Sequence, residues 1–259
     1  MSRFFVKVFV SGPFSGPLTY CADAPIELGS RVKIPLAHRE VIGIVQGADD
    51  GFHNLEELKS IIEILDKSPI LTSADLELLS FAANYYQSPL GNVVLSSLPT
   101  ALRRGRKIPK AKIVTGLNQS STYELTKQQH HATERVRAMQ NKFSCFLLQG
   151  VTGSGKTQIF TELIRSSIQR GKQVLLLVPE IGLTKQMQDR ILAKLDGALA
   201  ISHSGLADGA RASAFVAASS GKAQVLIGTR SSLFTPEAMT APGASAATAW
   251  LIEDSVTSD

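Results

Sequence analysis

The sequence is poor in cysteine. Its two cysteines, Cys21 and Cys145, lie far apart in the chain, and neither belongs to a C-x-x-C motif. This usage excludes a disulfide framework and a cysteine-based zinc cluster. We therefore expect both residues to be buried free thiols in a reducing compartment.

Long hydrophobic runs and a surplus of acidic residues are also missing. No run approaches the length of about 18 apolar residues that a transmembrane helix needs, and the N-terminus has no apolar core of a secretory signal. The 44% apolar content is that of a globular protein, so we expect a soluble, cytoplasmic chain with one or two domains and no membrane partner. The net charge of +5 suits a polyanionic partner, although other basic proteins share it.

The most informative stretch is GVTGSGKT at residues 150–157. It satisfies the pattern G-x-x-x-x-G-K-[ST], whose glycines let backbone N–H groups turn toward phosphate oxygens at the start of a helix. Lys156 would bridge the β- and γ-phosphates of ATP, and the Thr157 hydroxyl would hold Mg²⁺, which makes both catalytic candidates. The alternative is a glycine-rich turn that binds nothing. The predicted nucleotide-binding residues of this loop are Gly150, Val151, Thr152, Gly153, Ser154, Gly155, Lys156 and Thr157.

The sequence around this loop has the strand, loop and helix order that such a site needs. FSCFLLQ at 143–149 predicts a short buried strand, and apolar residues recur at helical spacing from Ile159 to Ile168 before Gly171. Further strands are predicted at QVLLLVPE, ALAISHSG and AQVLIGTRSSLF, and helices are predicted at 183–195 and about 208–219. The alternation predicts an α/β fold with a parallel sheet and ligand chemistry at the carboxyl ends of its strands.

Residues 1 to about 100 predict a small β-rich domain. FFVKVFV, SRVKIPL and EVIGIVQG are short β-type runs separated by glycine and proline turns. A helix follows, with Thr72 and Asp75 as a capping box. Its end carries Tyr85 and Tyr86, which we expect to serve core and rim packing in preference to base stacking. The predicted apolar face comprises Leu76, Leu79, Ala82, Ala83 and Tyr86.

A basic segment follows this domain. Glycine and proline interrupt it, so it should be an exposed linker. Two interpretations stay open: solvation alone, or a nucleic-acid contact in which each cation displaces a counterion. Its six cations are Arg103, Arg104, Arg106, Lys107, Lys110 and Lys112.

The helix predicted before the phosphate loop carries Gln129. With Thr126 as N-cap, Gln129 stands at the third helical position and completes a capping box. The same amide also suits reading the adenine edge of ATP. His130 and His131 point about 100° apart on a helix, so we expect them on a solvated face and not as a ligand pair.

Taken together, these strings resemble the PriA family of replication-restart DNA helicases in superfamily 2. Four strings carry the resemblance, in the family's order. Helicase motif I is similar to GVTGSGKT and motif Ia to LLLVPEIGLTKQM, the turn between motifs Ia and Ib is similar to ISHSGL, and motif Ib to IGTRSSLFTP. Four further strings resemble the family's domain that binds the 3′ end of a nascent DNA strand: PLTY, GSRVKIPL, EVIGIVQG and ELKSIIEILD. The resemblance covers residues 1 to about 105 and 123–236.

This resemblance implies a 3′-end DNA-binding domain at 1–105, a basic linker at 106–122 and a RecA-like P-loop lobe with a parallel sheet at 123–236. It also implies ATP-dependent 3′–5′ DNA helicase activity in the primosome, with ATP and Mg²⁺ as cofactors and with forked or single-stranded DNA and other primosome proteins as partners. Gln129 matches the adenine-reading glutamine of the family. With the two arginines that open the basic segment, the predicted DNA-binding residues are Leu18, Thr19, Tyr20, Lys59, Arg103, Arg104, Thr184, Thr229 and Arg230.

The sequence departs from the family pattern in several places. Ala37 stands where the family usually has glycine, and 106–122 is too short for its winged-helix domain. Residues 237–259 replace the Asp-Glu-Glu-His motif with a divergent stretch that we expect to be disordered, and the second lobe and the zinc-binding cysteines have no counterpart. We therefore expect a chain that binds ATP and DNA without unwinding. The alternative is a DNA-end-binding module with a vestigial nucleotide site.

Overall fold

The computed structural model describes residues 4–49, 51, 58–115, 124–139, 144–151, 153–179, 189, 193, 197–236 and 248–251. The chain folds into two compact units. The first comprises residues 1–110 with 207–216 and 234–236, and the second comprises 111–206, 217–233 and 237–259. Thr152, Thr184 and nearly all of the helix predicted over 183–195 lie outside the described residues.

The first unit is built on a five-stranded antiparallel sheet, which confirms the predicted β-rich domain. Along the sheet the strand order is β2-β1-β4-β3-β5. Alternate residues of the strands point into a core that includes Val6, Val8 and Ile34, as the period-two pattern requires. The strands are β1 (Phe4–Phe9), β2 (Leu18–Ala22), β3 (Arg31–Leu36), β4 (Arg39–Ala48) and β5 (Glu63–Ile64).

A two-residue turn joins β3 to β4. Leu36 pairs with Arg39, so Ala37 and His38 form the turn. Ala37 has a φ of 52°, in the left-handed region that favours glycine. Tight hairpins need such a conformation, because it matches the twist of the paired strands. The alanine that departs from the family pattern therefore occupies a position where glycine fits without strain.

Three helices complete this unit: α1 (Ser73–Tyr85), α2 (Leu90–Ser97) and α3 (Thr100–Arg103). The predicted capping box of α1 is confirmed, since the Asp75 N–H donates to Thr72 Oγ1 at 3.2 Å and the Thr72 N–H donates to the Asp75 carboxylate at 2.7 Å. The buried face of α1 packs in a cluster with residues from β1, β4, α2 and α3. Its buried residues are Leu76, Leu79, Ala82 and Ala83.

The two tyrosines at the end of α1 are not packing residues, and that prediction is wrong. Tyr85 is 70% exposed and Tyr86 is 72% exposed. Tyr85 shares a helix face with Phe81, whose ring stacks on it at 6.0 Å, and this face lies away from the buried one. Tyr86 is the C-cap, one residue beyond the helix, so helical periodicity no longer sets its direction.

A buried ion pair fixes the start of the basic segment to the sheet. Arg31 and Asp66 have side chains with no solvent exposure, and Arg31 Nη2 lies 2.7 Å from Asp66 Oδ1. Arg31 Nη1 also donates to the main-chain oxygens of Leu102 at 2.8 Å and Arg106 at 3.0 Å. Further along, Ser213 Oγ donates to the Lys110 carbonyl at 2.7 Å. The segment is therefore anchored through its backbone.

The second unit contains a mixed five-stranded sheet with the order β10-β7-β9-β8-β6. Four strands are parallel, as predicted, and β6 adds an edge strand that pairs antiparallel with β8. Its core includes Ile164, Leu176 and Ile227. The strands are β6 (Val114–Thr115), β7 (Val174–Leu177), β8 (Ala198–Ser202), β9 (Val225–Gly228) and β10 (Thr248–Leu251). The helices are α4 (Lys127–Ala138), α5 (Lys156–Gln169) and α6 (Asp208–Ser219), of which α6 has most of its residues in the first unit.

The strand predicted before the phosphate loop is wrong. Residues 144–150 adopt no regular secondary structure, and Leu147 is 92% exposed. The outer sides of β7 and β8 are taken by β10 and β6, so this segment has no position within the sheet. Cys145 is consequently exposed, against expectation, whereas Cys21 is buried as expected.

The C-terminal stretch that was expected to be disordered includes residues 248–251. They form β10, whose backbone pairs in parallel register with all of β7, from Thr248 opposite Val174 to Leu251 opposite Leu177. The edge of β7 offers unpaired N–H and C=O groups, and an extended segment satisfies them.

Candidate nucleotide-binding loop and nucleic-acid contacts

The glycines of the phosphate loop have the conformations that the motif requires. Gly153 has a φ of 82° and Gly155 a φ of 84°, both in the left-handed region. Gly155 is the N-cap of α5, and no side chain caps this helix end. The first N–H groups of a helix lack intrahelical partners, so the start of α5 presents donors and a positive dipole to an anion.

Lys156 folds back over the loop that precedes it. Its Nζ donates to the Gly150 carbonyl at 2.7 Å. At Gly150 a Cβ would lie 2.6 Å from Ser154 Oγ, so a larger residue there would require that hydroxyl to move. The ammonium thus sits beside the N-terminus of α5, and a phosphate oxygen would replace a neutral carbonyl with a stronger, charge-assisted partner. Thr157 is exposed in the first turn of α5, where Mg²⁺ carried by the nucleotide would meet its hydroxyl.

Gln129 contacts the phosphate loop directly. Its Oε1 accepts the Thr126 N–H at 2.9 Å, which confirms the capping box. Its Nε2 donates to the Ser154 carbonyl at 3.1 Å and to Gln158 Oε1 at 3.3 Å. The amide therefore serves both the cap of α4 and the loop, and its role in reading adenine stays a prediction. His130 and His131 are exposed, as expected.

An ion-pair cluster holds α4 against α5. Arg137 lies 2.9 Å from Glu134 on its own helix and also contacts Glu162 on α5. Desolvation of the guanidinium opposes its charge, but the hydrogen bonds to both carboxylates outweigh this effect and raise the pKa of Arg137. The pair fixes the helix that carries Gln129 beside the helix that begins at the phosphate loop.

The carboxyl end of β9 carries Thr229 and Arg230, two of the residues predicted to track DNA. Thr229 is buried, its N–H donates to the Ser202 carbonyl at 3.4 Å, and its hydroxyl lies 3.2 Å from Ser231 Oγ. Arg230 is exposed at the start of a 3₁₀ helix (Arg230–Phe234). Arg230 therefore offers a charged side chain to a ligand, and Thr229 holds the turn that presents it.

Within the first unit, the residues predicted around the DNA 3′ end divide between two faces of the sheet. Leu18 and Tyr20 pack into the core, where Tyr20 donates to the Pro35 carbonyl at 3.2 Å and burial raises its pKa. Thr19 points to the opposite face and is partly exposed. Lys59 lies beside β2, because its carbonyl accepts the Cys21 N–H at 2.9 Å, and its side chain is exposed. Thr19 and Lys59 are thus the accessible members of this group.

Sequence reasoning missed two residues next to Thr19. Asp49 Oδ2 accepts the Thr19 hydroxyl at 2.7 Å, and Lys7, the cross-strand partner of Thr19, lies 3.6 Å from Asp49 Oδ1. Asp49 belongs to a Gly-Ala-Asp-Asp-Gly stretch that indicated only a turn. The alternation of β1 and β2 could have placed Lys7 near Thr19, but the proximity of Asp49 depends on the pairing of β1 with β4.

All six cations of the basic segment are exposed, as predicted for a linker. Arg103 donates to Thr100 Oγ1 at 3.1 Å. Nearby, a hydrogen bond from Arg211 lowers the pKa of Asp208, and the charges of Arg104 and Arg106 add to this effect. The segment therefore forms an anchored, exposed basic strip, and its contact with nucleic acid stays a prediction.

Two absences hold for the residues that the structure describes. None of their helices is long and apolar enough to cross a membrane. They also contain no cluster of three or more His, Cys, Asp or Glu residues that could hold a metal ion.

Two family models match the chain. The PriA 3′ DNA-binding domain (3′BD) matches residues 7–99, and the Type III restriction enzyme res subunit matches residues 122–254. The chain thus joins a DNA-binding domain to a helicase domain with the P-loop NTPase fold. It belongs to the PriA family of replication restart proteins.

The chain is also similar to curated relatives named replication restart protein PriA. The protein of Haemophilus influenzae is 29% identical over 82% of this chain and 40% of its own length. The protein of Treponema pallidum is 30% identical over 81% of the chain and 32% of its own length. The protein of Helicobacter pylori strain 26695 is 33% identical over 85% of the chain and 33% of its own length. The chain therefore matches well under half the length of these relatives.

Proposed function

We propose that this chain provides the DNA-end-binding and ATP-binding parts of an ATP-dependent 3′–5′ DNA helicase that acts in replication restart. The observation that carries the nucleotide part is the geometry of the phosphate loop. Gly153 and Gly155 adopt left-handed conformations, α5 begins without a side-chain cap, and the Lys156 ammonium lies over the loop.

The nucleotide would bind through its phosphates. Amides at the start of α5 would take the β-phosphate, and Lys156 would exchange its Gly150 carbonyl for phosphate oxygens. Mg²⁺, which comes with ATP and neutralises charge on the phosphates, would be held by Thr157. Gln129 is placed to couple nucleotide binding to the loop, because its amide already contacts the Ser154 carbonyl.

DNA binding would use exposed positive charge in each unit. In the first unit, Thr19 and Lys59 are accessible beside β2, and the basic residues from Arg103 to Lys110 lie on a segment that is anchored to the sheet through the Arg106 carbonyl. In the second unit, Arg230 follows β9. Phosphate contacts of this kind supply affinity that falls steeply as salt rises. The family membership supports DNA as the polyanion.

Titration of the chain with MgATP tests the nucleotide part. Lys156→Ala should weaken ATP binding by about 10- to 100-fold, because a hydrogen bond to a charged group contributes about 1.5–3 kcal/mol. Lys222→Ala, which removes an exposed lysine before β9, is the matched control and should bind ATP like the wild type. Equal ATP affinity of wild type and Lys156→Ala would refute the nucleotide part.

Titration with a forked DNA that carries a recessed 3′ end tests the DNA part. We expect Lys59→Ala and Arg230→Ala each to weaken binding and to reduce its salt dependence, because each removes a cation. Failure of the wild type to bind DNA at any salt concentration would refute it. Stimulation of ATP hydrolysis by this DNA would link the two parts.

A second candidate function is a DNA-end-binding module whose nucleotide site is not used. Two observations favour it: residues 144–150 form no strand beneath the loop, and Lys156 is already satisfied by the Gly150 carbonyl. Tight DNA binding together with no measurable ATP binding would select this alternative.

A further inference from the structure

We propose that Arg211 on α6 and the arginines of the basic strip form a binding site for a backbone phosphate of DNA, in which the Asp208 carboxylate is an internal counterion that the phosphate displaces. The inference rests on the proposed DNA binding and deepens it. It adds Arg211, which no sequence motif singled out. It also gives Asp208 the opposite effect from the arginines, because removal of its charge should tighten DNA binding.

A hydroxyl on α3 brings two arginines together. Thr100 Oγ1 accepts Arg103 Nη2 at 3.1 Å and Arg211 Nη2 at 3.3 Å. Residues 1–110 and 207–216 belong to the same unit, so this contact lies inside the first unit. Arg211 Nη2 also lies 2.5 Å from the carboxylate of Asp208, three residues earlier on α6. Two guanidiniums thus meet at one small polar centre.

The charge around Asp208 is strongly positive. The hydrogen bond from Arg211 is the main cause that lowers the pKa of Asp208. The charges of Arg104 and Arg106 lower this pKa further, so both of their guanidiniums lie near the carboxylate. With Arg103, the cluster has four positive charges and one negative charge, which give it a net charge of +3. The single internal acid therefore leaves most of the positive charge available to an external anion.

The arginines of the strip stand on a fixed backbone. Arg31 Nη1 donates to the Arg106 carbonyl at 3.0 Å, and Ser213 Oγ on α6 donates to the Lys110 carbonyl at 2.7 Å. A cation on an ordered segment loses less conformational freedom when it binds a ligand, so more of its attraction appears as affinity. The exposed arginines of the strip are Arg103, Arg104 and Arg106.

Arg211 has one donor that this network leaves without a partner. Its Nε is buried, and no acceptor for it lies among the residues that the structure describes. A buried donor without an acceptor is unfavourable. Two oxygens of a phosphate match the planar fork of a guanidinium and accept two hydrogen bonds from it. When Arg211 turns from Asp208 toward a backbone phosphate, its guanidinium gains this bidentate partner, and the partly exposed carboxylate is released to solvent.

Binding of the full chain to the forked DNA, followed by fluorescence anisotropy over a range of salt concentrations, tests the inference. Arg211→Ala should weaken binding by roughly tenfold, at the lower end for hydrogen bonds to a charged group. It should also reduce the slope of log K against log salt by about 0.9, because one phosphate contact is lost. Arg211→Lys should retain the slope, because the charge remains, but it should lose part of the affinity, because lysine cannot bind a phosphate bidentately.

Asp208→Asn tests the role of the counterion. It should tighten DNA binding by up to about fivefold, in line with the small energies of exposed ion pairs. Glu77→Gln is the matched control, because it removes the same charge from an exposed position on α1 of the same unit. It should leave the affinity nearly unchanged. Equal tightening in both variants would show that net charge alone governs binding, and it would overturn the role of Asp208.

The remaining outcomes separate this inference from the proposed function. Weaker binding and a smaller slope in Arg211→Ala, together with tighter binding in Asp208→Asn, support the inference. Wild-type affinity and slope in Arg211→Ala overturn it and leave the proposed DNA binding intact, and so does unchanged or weaker binding in Asp208→Asn. If the wild type binds no DNA, the proposed function fails and the inference fails with it. Tighter binding cannot result from misfolding, so Asp208→Asn decides the question even if Arg211→Ala misfolds.

Discussion

Replacing Arg31 with methionine should destabilise the first unit strongly, because it leaves the Asp66 carboxylate buried without its cationic partner. Both side chains have no solvent exposure, so the usual discount for screening does not apply. After the change, Asp66 keeps the Arg31 backbone N–H at 3.0 Å and the Leu102 carbonyl keeps the Gly105 N–H at 3.1 Å, while the Arg106 carbonyl loses the Arg31 donor. Breaking a buried pair from one side typically costs about 3–5 kcal/mol.

Urea unfolding of the wild type and the variant, followed by circular dichroism, measures this loss. The double variant Arg31→Met/Asp66→Leu removes the stranded charge and should recover part of the stability, but the Arg106 carbonyl still lacks the donor that Arg31 supplied. Glu40→Gln is the control, because it weakens the exposed Lys33–Glu40 pair and should leave stability nearly unchanged. A loss below about 1 kcal/mol in Arg31→Met would refute the reasoning that this pair is indispensable once buried.

Three smaller predictions concern single sites. Ala37→Gly should stabilise the first unit by about 0.5 kcal/mol in the same urea assay, because relief of left-handed strain exceeds the added freedom of the unfolded chain; a loss of stability would contradict this. Cys145 should react with a maleimide much faster than buried Cys21 in the native chain, and peptide mass spectrometry measures the two rates. Equal rates would contradict the exposure of residues 144–150. The pKa of Asp208, measured by NMR titration, should lie below its usual 3.8 and should rise toward that value in Arg211→Ala. Because the pKa in the folded state is lowered, the stabilisation from this pair is present at neutral pH. It is lost as the pH falls through that pKa.

Local sequence signals predicted most of the fold. The alternating runs of the first sheet, the capping boxes at Thr72 and Thr126, and the helix from Lys156 to Gln169 follow from residues that lie close together in the chain. The phosphate loop belongs to the same group, because its glycines must adopt left-handed conformations whatever surrounds them. Predictions of this kind succeed because neighbours in sequence determine the outcome.

The failures share a different cause. FSCFLLQ has the composition of a buried strand, but β10 and β6 take the places beside β7 and β8 that it would need. Composition also predicted burial for Tyr85 and Tyr86, although the buried face of α1 is set by Leu76 and Leu79. In each case a competition between distant segments decides which apolar residues are covered, and this competition cannot be seen in a local window.

The surroundings of Thr19 depend on the same kind of distant pairing. A motif search could find Thr19 and Lys59, because they lie in strings that resemble a family. It could not find Asp49, which comes beside Thr19 only because β4 pairs with β1 and β1 with β2. A hydroxyl can donate or accept a hydrogen bond, and in this sheet the Thr19 hydroxyl donates to the Asp49 carboxylate. The register of the sheet thereby determines which groups surround Thr19.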